Sequence, residues 1–217
     1  MKKSQAEVIV EKSVIEGFAS LASALQWFWP AGLSGDKRYY LPIQERNILT
    51  YISAQFLKKD FLIFNEIRMN NDSGSGFIDM IALNHESGIE VYIEAKGSFD
   101  AAAGATLQIT NDINRMLSFQ GELVQEHNLA SNYSEETFEH KFALVVTSCF
   151  GEEIRKWWEN DEVIMPGNKR ADGWAELHKL LCKAKSRWSV PLKTSRGSTD
   201  EPQIVVYGLY AVFERGE

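Results

Sequence analysis

The chain has 217 residues, of which 44% are hydrophobic and 24% charged, as expected for one globular domain with a sizeable core. Its formal net charge of −7 excludes nucleic-acid binding through a uniformly positive surface, so any such binding needs a local basic region or a bridging metal ion. Two cysteines, Cys149 and Cys182, are too few for a disulfide framework. Charges interrupt the N-terminal apolar residues, and no apolar run could span a bilayer. We therefore expect a soluble, cytoplasmic protein that does not bind membranes.

The N-terminal part of the chain carries two helical patterns. Apolar residues recur at helical spacing over residues 4–28 and again over residues 42–58, and each stretch is predicted to form a helix. Pro42 suits the first turn of the second helix, and Glu45 lies near its N-terminal end.

Three short apolar segments follow, separated by turn residues. Residues 61–67, 77–83 and 89–96 are predicted strands, and Asn, Ser and Gly are frequent between them. Because the connections are short, the three strands are expected to form an antiparallel meander. A further helix is predicted over residues 105–120.

The C-terminal part begins with residues 142–147, an uninterrupted apolar run that is typical of a strand buried on both faces. A tryptophan pair at positions 157–158 is expected to pack in the core or at an interface. The spacing then predicts a helix over residues 172–187, a flexible loop over 189–202 and a final strand over 204–213.

The most informative motif combines an aspartate on the second predicted strand with a Glu-Ala-Lys triplet on the third. Glu94 and Lys96 are two residues apart and therefore project from one face, and hairpin pairing can bring Asp79 beside them. Two neighbouring carboxylates repel each other unless a cation joins them. A hard divalent cation such as Mg²⁺ takes oxygen ligands of this kind, polarises a phosphoryl oxygen and lowers the pKa of bound water.

This arrangement resembles the PD-(D/E)XK phosphodiesterase superfamily. The likeness rests on Ile78-Asp79, Glu94-Ala95-Lys96 and the order of elements over residues 41–150, although Ile78 stands where the motif name has proline. It implies an α/β protein with a restriction-endonuclease-like, three-layer core, in which helices flank a central mixed sheet. We expect a single domain, residues 1–217, with a helical/strand extension over residues 151–217.

The resemblance also implies an activity, a Mg²⁺-dependent (or Mn²⁺-dependent) nuclease that hydrolyses phosphodiester bonds in DNA. Asp79 and Glu94 would hold the metal ion, and Lys96 would assist the attacking water. Many members add a glutamate in the helix before the meander or on its first strand. Glu45 is the favoured third metal ligand and catalytic residue, and Glu66 is the accessory alternative.

Two other regions are candidates for contact with substrate. In the helix after the lysine, Gln108, or Asp112 one turn further on, could reach the site. Residues 169–196 hold eight Lys or Arg and two acidic residues. The candidate phosphate-binding residues in this region are Lys169, Arg170, Lys183, Lys185 and Arg187. Its two tryptophans, Trp174 and Trp188, either stack on bases or, given their helical spacing, pack in the core.

Several alternatives stay open at this stage. Asp79, Glu94 and Lys96 could form an ion-pair cluster on a half-exposed sheet. A catalytically inactive nuclease fold could bind nucleic acid, or the chain could be a protein-interaction module. A homodimer is expected if both strands of a duplex are cut. None of the four histidines has metal-ligand spacing with another His or Cys.

Overall fold

The computed structural model describes residues 3–28, 43–71, 74–99, 103–119, 138–150, 152–160, 171–194 and 205–216. These residues contain five helices, α1 (Gln5–Phe28), α2 (Glu45–Leu57), α3 (Ala103–Ser118), α4 (Glu152–Glu159) and α5 (Ala171–Leu181). They also contain six strands, β1 (Leu62–Asn71), β2 (Gly74–Asn84), β3 (Ile89–Phe99), β4 (His140–Phe150), β5 (Ser186–Thr194) and β6 (Val205–Glu214). The protein is therefore mixed α/β.

All six strands belong to one sheet, with the order β1-β2-β3-β4-β6-β5. The β3–β4 pair is parallel and the other four pairs are antiparallel, so the sheet is mixed. The predicted meander is confirmed in β1, β2 and β3. The predicted central strand is confirmed in β4, whose neighbours are β3 and β6 and whose residues 142–149 are all buried. The last strand in the chain, β6, belongs to the same sheet as the meander.

Helices cover both faces of the sheet because the central strands are apolar on both sides. On one face, α1 and α2 pack against side chains such as Ile93 and Val146. On the other face, α3, α4 and α5 pack against side chains such as Tyr92 and Val145. No helix within the described ranges is long and apolar enough to cross a membrane.

The prediction for the C-terminal part was wrong at two places. The helix predicted over residues 172–187 ends at Leu181, and residues 186–194, predicted largely as a loop, form the edge strand β5. Pro191 fits there because an edge strand can leave one row of amides unpaired. The helical spacing that extended to Trp188 was accidental, since Trp188 lies on β5 with 57% of its surface exposed. The region 151–160, for which no element was predicted, contains α4.

The tryptophan pair packs in the core, which was one of the two predicted alternatives. Trp157, Trp158 and Trp174 are almost fully buried and surround Phe99 at the end of β3. The Trp158 indole donates a hydrogen bond to the Tyr210 carbonyl oxygen at 2.9 Å. These rings fix α4 and α5 on the same face as α3.

A close approach between α1 and β6 gives a test of this packing. Phe18 lies over Gly208, and a Cβ added at Gly208 would overlap the Phe18 ring. We expect Gly208→Ala to lower the free energy of unfolding by about 1–3 kcal/mol, because a fully buried ring cannot move aside freely. Urea denaturation measures the loss. In a Phe18→Leu background, Gly208→Ala should lower the free energy of unfolding by less. Equal losses in both backgrounds would contradict the proposed overlap.

Candidate active site

Asp79 lies where strands β2 and β3 separate. Their backbone pairing runs from Asn84–Ile89 to Met80–Ile93 and includes no pair beyond Met80. At the next position, Asp79 accepts a hydrogen bond through Oδ2 from the Ala95 amide at 2.8 Å. The carboxylate therefore bridges the two strands at the point where their ladder ends, which holds it beside the Glu-Ala-Lys triplet.

Gly97 marks an irregularity on the other side of β3. The β3–β4 register shifts between Ala95 and Ser98. The Gly97 carbonyl accepts hydrogen bonds from Thr147 Oγ1 at 3.1 Å and Ser148 Oγ at 3.0 Å. A Cβ at Gly97 would lie 3.1 Å from the Ile43 carbonyl oxygen, so glycine allows this close approach. The hydroxyls of β4 thus fix the backbone immediately after Lys96.

Helix α3 adds a second acid and a second cation to the site. Lys96 Nζ lies 3.5 Å from Glu94 Oε2 and 2.9 Å from Asp112 Oδ2. Arg115 Nη2 lies 2.5 Å from Glu94 Oε1 and 2.7 Å from Asp112 Oδ1. Each cation contacts both acids, and we call these four residues the ion-pair ring. Asp79 adjoins the ring through its contact with β3.

The electrostatics of the site are dominated by the burial of Glu94, whose side chain is 2% exposed. Burial, and then the negative charges of Asp79 and Asp112, raise the pKa of Glu94 to about 8, although Lys96 and Arg115 oppose the shift. Burial by itself lowers the pKa of Lys96 and of Arg115, but the acids outweigh it and raise both pKa values. Burial therefore disfavours the charged form of Glu94.

The structure brings some predicted residues to the site and places others away from it. Glu45, at the start of α2, accepts a hydrogen bond through Oε1 from the Gly97 amide at 3.4 Å. Glu66 is 77% exposed on β1, and its carboxylate lies 3.9 Å from Arg46. Gln108 is exposed on α3, one turn before Asp112. Glu45 thus contacts β3 immediately after the Glu-Ala-Lys triplet, whereas the described contact of Glu66 is with Arg46.

The three predicted basic residues that the structure describes lie away from the site. The register leads from Glu94 across Val145 and Ala211 to Arg187, and three strand spacings put about 14 Å between the two ends. Lys185 pairs with Glu214 near that edge, and Lys183 is exposed. The predictions for Lys169 and Arg170, like those for residues 195–202, fall outside the described residues.

Sequence reasoning missed Arg115 and gave Asp112 only a secondary place. A signal was available, since Asp112 lies one helical turn from Ile109 and Met116 and thus shares their buried face. A charge on a buried helical face needs a partner, and Arg115, three residues later, is well placed to supply it. The contact of both residues with β3 depends on how α3 packs.

The carboxylate oxygens of the site are the donor type that a hard divalent cation takes. Asp79 and Glu94 offer carboxylate oxygens from adjacent strands. Burial, and then the negative charges of Asp79 and Asp112, raise the pKa of Glu94, and a bound cation would oppose this shift. As the side chains stand, no three His, Cys, Asp or Glu residues in the described ranges are arranged to hold a metal ion. Both Glu94 oxygens instead face cations, Arg115 and Lys96.

Comparison with protein-family models, with curated proteins and with solved structures finds no match to this chain. The function is therefore argued from the site itself.

The shifted pKa of Glu94 predicts how stability depends on pH without metal. Between pH 4.5 and about 8, the folded protein retains a proton on Glu94 that the unfolded chain has released. The free energy of unfolding should therefore fall as pH rises through this window, by at most about 1.4 kcal/mol per pH unit. Chemical denaturation across this range should show the fall in the wild type and a flatter profile in Glu94→Gln. Identical profiles would mean that Glu94 titrates normally.

Proposed function

We propose that this chain is a metal-dependent phosphodiesterase that hydrolyses nucleic acid, with DNA as the expected substrate. The proposal depends on one observation above all. Asp79 and Glu94 lie on adjacent strands, each one position beyond the end of the β2–β3 ladder, and Lys96 follows on the same strand as Glu94. The helix, meander, helix and central strand occur in the order that a restriction-endonuclease-like core requires, which supports the resemblance.

The proposed roles follow from position and exposure. Asp79 and Glu94 would hold a Mg²⁺ or Mn²⁺ ion, and Glu45, beside Gly97, is the candidate third ligand. When bound, the ion would supply Lewis acidity toward a phosphoryl oxygen and lower the pKa of its water. The Lys96 side chain is 23% exposed, so its ammonium can reach a phosphate from the buried floor formed by Glu94. It would orient the attacking water or stabilise negative charge on phosphorus oxygens.

Cleavage of plasmid and single-stranded DNA, with Mg²⁺ or Mn²⁺, tests this proposal. The wild type should cut only with metal, and Asp79→Ala and Lys96→Ala should both lose activity. Lys12→Ala, an exposed substitution on α1, controls for the loss of a lysine charge. Cleavage that survives both site substitutions would assign the activity to other residues or to a contaminant. No cleavage with either metal, together with unchanged thermal stability on adding Mn²⁺, would count against the proposal.

The ion-pair ring favours one alternative, a nucleic-acid-binding protein without catalysis. Lys96 and Arg115 already contact both Glu94 and Asp112 without a metal ion, as the cations of a purely structural cluster would. This alternative predicts binding to DNA that weakens with salt but is unaffected by Mn²⁺ or by Asp79→Asn. Binding measured at two salt concentrations, with and without Mn²⁺, distinguishes it from the proposed nuclease.

A further inference from the structure

Arg115 contacts a carboxylate oxygen of Glu94 that a metal ion would need as a ligand. Its guanidinium contacts Glu94 Oε1 at 2.5 Å, while Lys96 faces Oε2. A divalent cation bound between Asp79 and Glu94 would lie within a few ångströms of this guanidinium, where two positive charges repel each other strongly. The Glu94–Arg115 pair and a Glu94–metal bond therefore compete.

The surroundings of Arg115 allow it to move between partners. Its side chain is 29% exposed, whereas that of Glu94 is 2% exposed, so the guanidinium lies toward solvent from the carboxylate. The stem passes over β2, where a Cβ on Gly76 would be 3.2 Å from Arg115 Cδ. Asp112 Oδ1 offers a second carboxylate at 2.7 Å, which can retain the arginine when Glu94 is lost as a partner. The planar guanidinium can then present its other N–H groups to phosphate oxygens.

From this geometry we propose that Arg115 has two successive partners. In the metal-free protein it contacts the Glu94 carboxyl group, and after a divalent cation takes Glu94 it stays on Asp112 and binds a non-bridging oxygen of the substrate phosphodiester. The second half of this inference rests on the proposed function, and the first half does not. Asp112 is the positioning residue for both Arg115 and Lys96.

Mn²⁺ binding by the full chain, measured by calorimetry without nucleic acid, tests the competition directly. Arg115→Met should bind Mn²⁺ more tightly than the wild type, on the order of tenfold, because the competing cation is gone. Arg155→Met is the matched control, since Arg155 is also held by two acids, Glu152 and Glu159, but on α4. It should bind Mn²⁺ like the wild type.

Gly76→Ala provides a second test in which the arginine is retained. The added methyl should push the Arg115 stem away from β2 and weaken its contact with Glu94, and so tighten Mn²⁺ binding by a smaller factor. This variant keeps the inference testable if Arg115→Met fails to fold. Mn²⁺ binding that is unchanged or weaker in whichever variants fold would overturn the competition.

Cleavage kinetics at saturating Mn²⁺ test the second partner. Arg115→Met should raise KM for DNA on the order of tenfold or more despite its tighter metal binding, and Arg115→Lys should restore part of the loss. Unchanged KM in Arg115→Met would overturn phosphate binding by Arg115. Tighter Mn²⁺ binding in Arg115→Met with no cleavage by any variant would support competition between Arg115 and the metal ion, and it would refute the proposed function. Absence of Mn²⁺ binding in all variants would refute both the competition and the proposed function.

Discussion

Lys96→Met is expected to lower the rate of DNA cleavage at saturating Mn²⁺ by about 10²–10³-fold, a typical cost of removing one electrostatic contact to the transition state. Its Mn²⁺ affinity should stay similar or rise, because a positive charge beside Glu94 disappears. Single-turnover cleavage measures the first quantity and calorimetry the second. The combination separates a residue that acts on the substrate from one that holds the metal.

Asp79→Asn should show the opposite pattern. The amide oxygen of asparagine can still accept the hydrogen bond of the Ala95 amide, so the junction between β2 and β3 should persist. The lost negative charge should weaken Mn²⁺ binding, and raising the Mn²⁺ concentration should recover part of the activity. If Lys96→Met also weakened Mn²⁺ binding strongly, or if it cleaved at the wild-type rate, the division of roles between Asp79 and Lys96 would be wrong.

Arg215→Ala should cause the largest loss of stability among the proposed variants, about 3–5 kcal/mol, because it removes the cation that pairs with a buried carboxylate. The Arg215 guanidinium lies 2.8 Å from Glu90 Oε2 and 3.6 Å from the centre of the Tyr92 ring, and the side chains of the ion pair are 6% and 4% exposed. It also donates hydrogen bonds to the carbonyl oxygens of Met116 and Phe119, each at 2.9 Å. Urea denaturation at neutral pH measures the loss.

The position of Arg215 links this stability to the site. By binding the carbonyls at the C-terminal end of α3, it ties to β3 the helix that carries Asp112 and Arg115. Replacing both partners, in Glu90→Gln with Arg215→Met, should recover part of the stability because the buried negative charge is removed together with its cation. A loss no greater for Arg215→Ala than for the double variant would contradict a stabilising role of Arg215 as the cation beside Glu90.

Part of the site could be predicted from the sequence because the strand patterns are local. Alternation along β3 put Glu94 and Lys96 on one face, and the short turn between β2 and β3 made Asp79 their neighbour across the hairpin. The same local regularity located α1, α2, α3 and β4. Prediction failed after Leu181, where apolar residues at helical spacing continued into a segment that pairs with β6. There, pairing with β6 decided the structure, and no local pattern in the segment indicates that partner strand.

The sequence by itself determined five of the six strands, the two acids and the lysine on β2 and β3, and the acidic overall charge. Only the tertiary structure decided that the ladder ends at Met80, that Asp112 and Arg115 close a ring around Glu94, and that the basic residues of β5 lie about three strand spacings from it. The physical reason is the range of the interactions. Alternation and turn propensity act between neighbours along the chain, whereas the burial of Glu94 and the choice of its counter-ion depend on how α3 packs across the sheet.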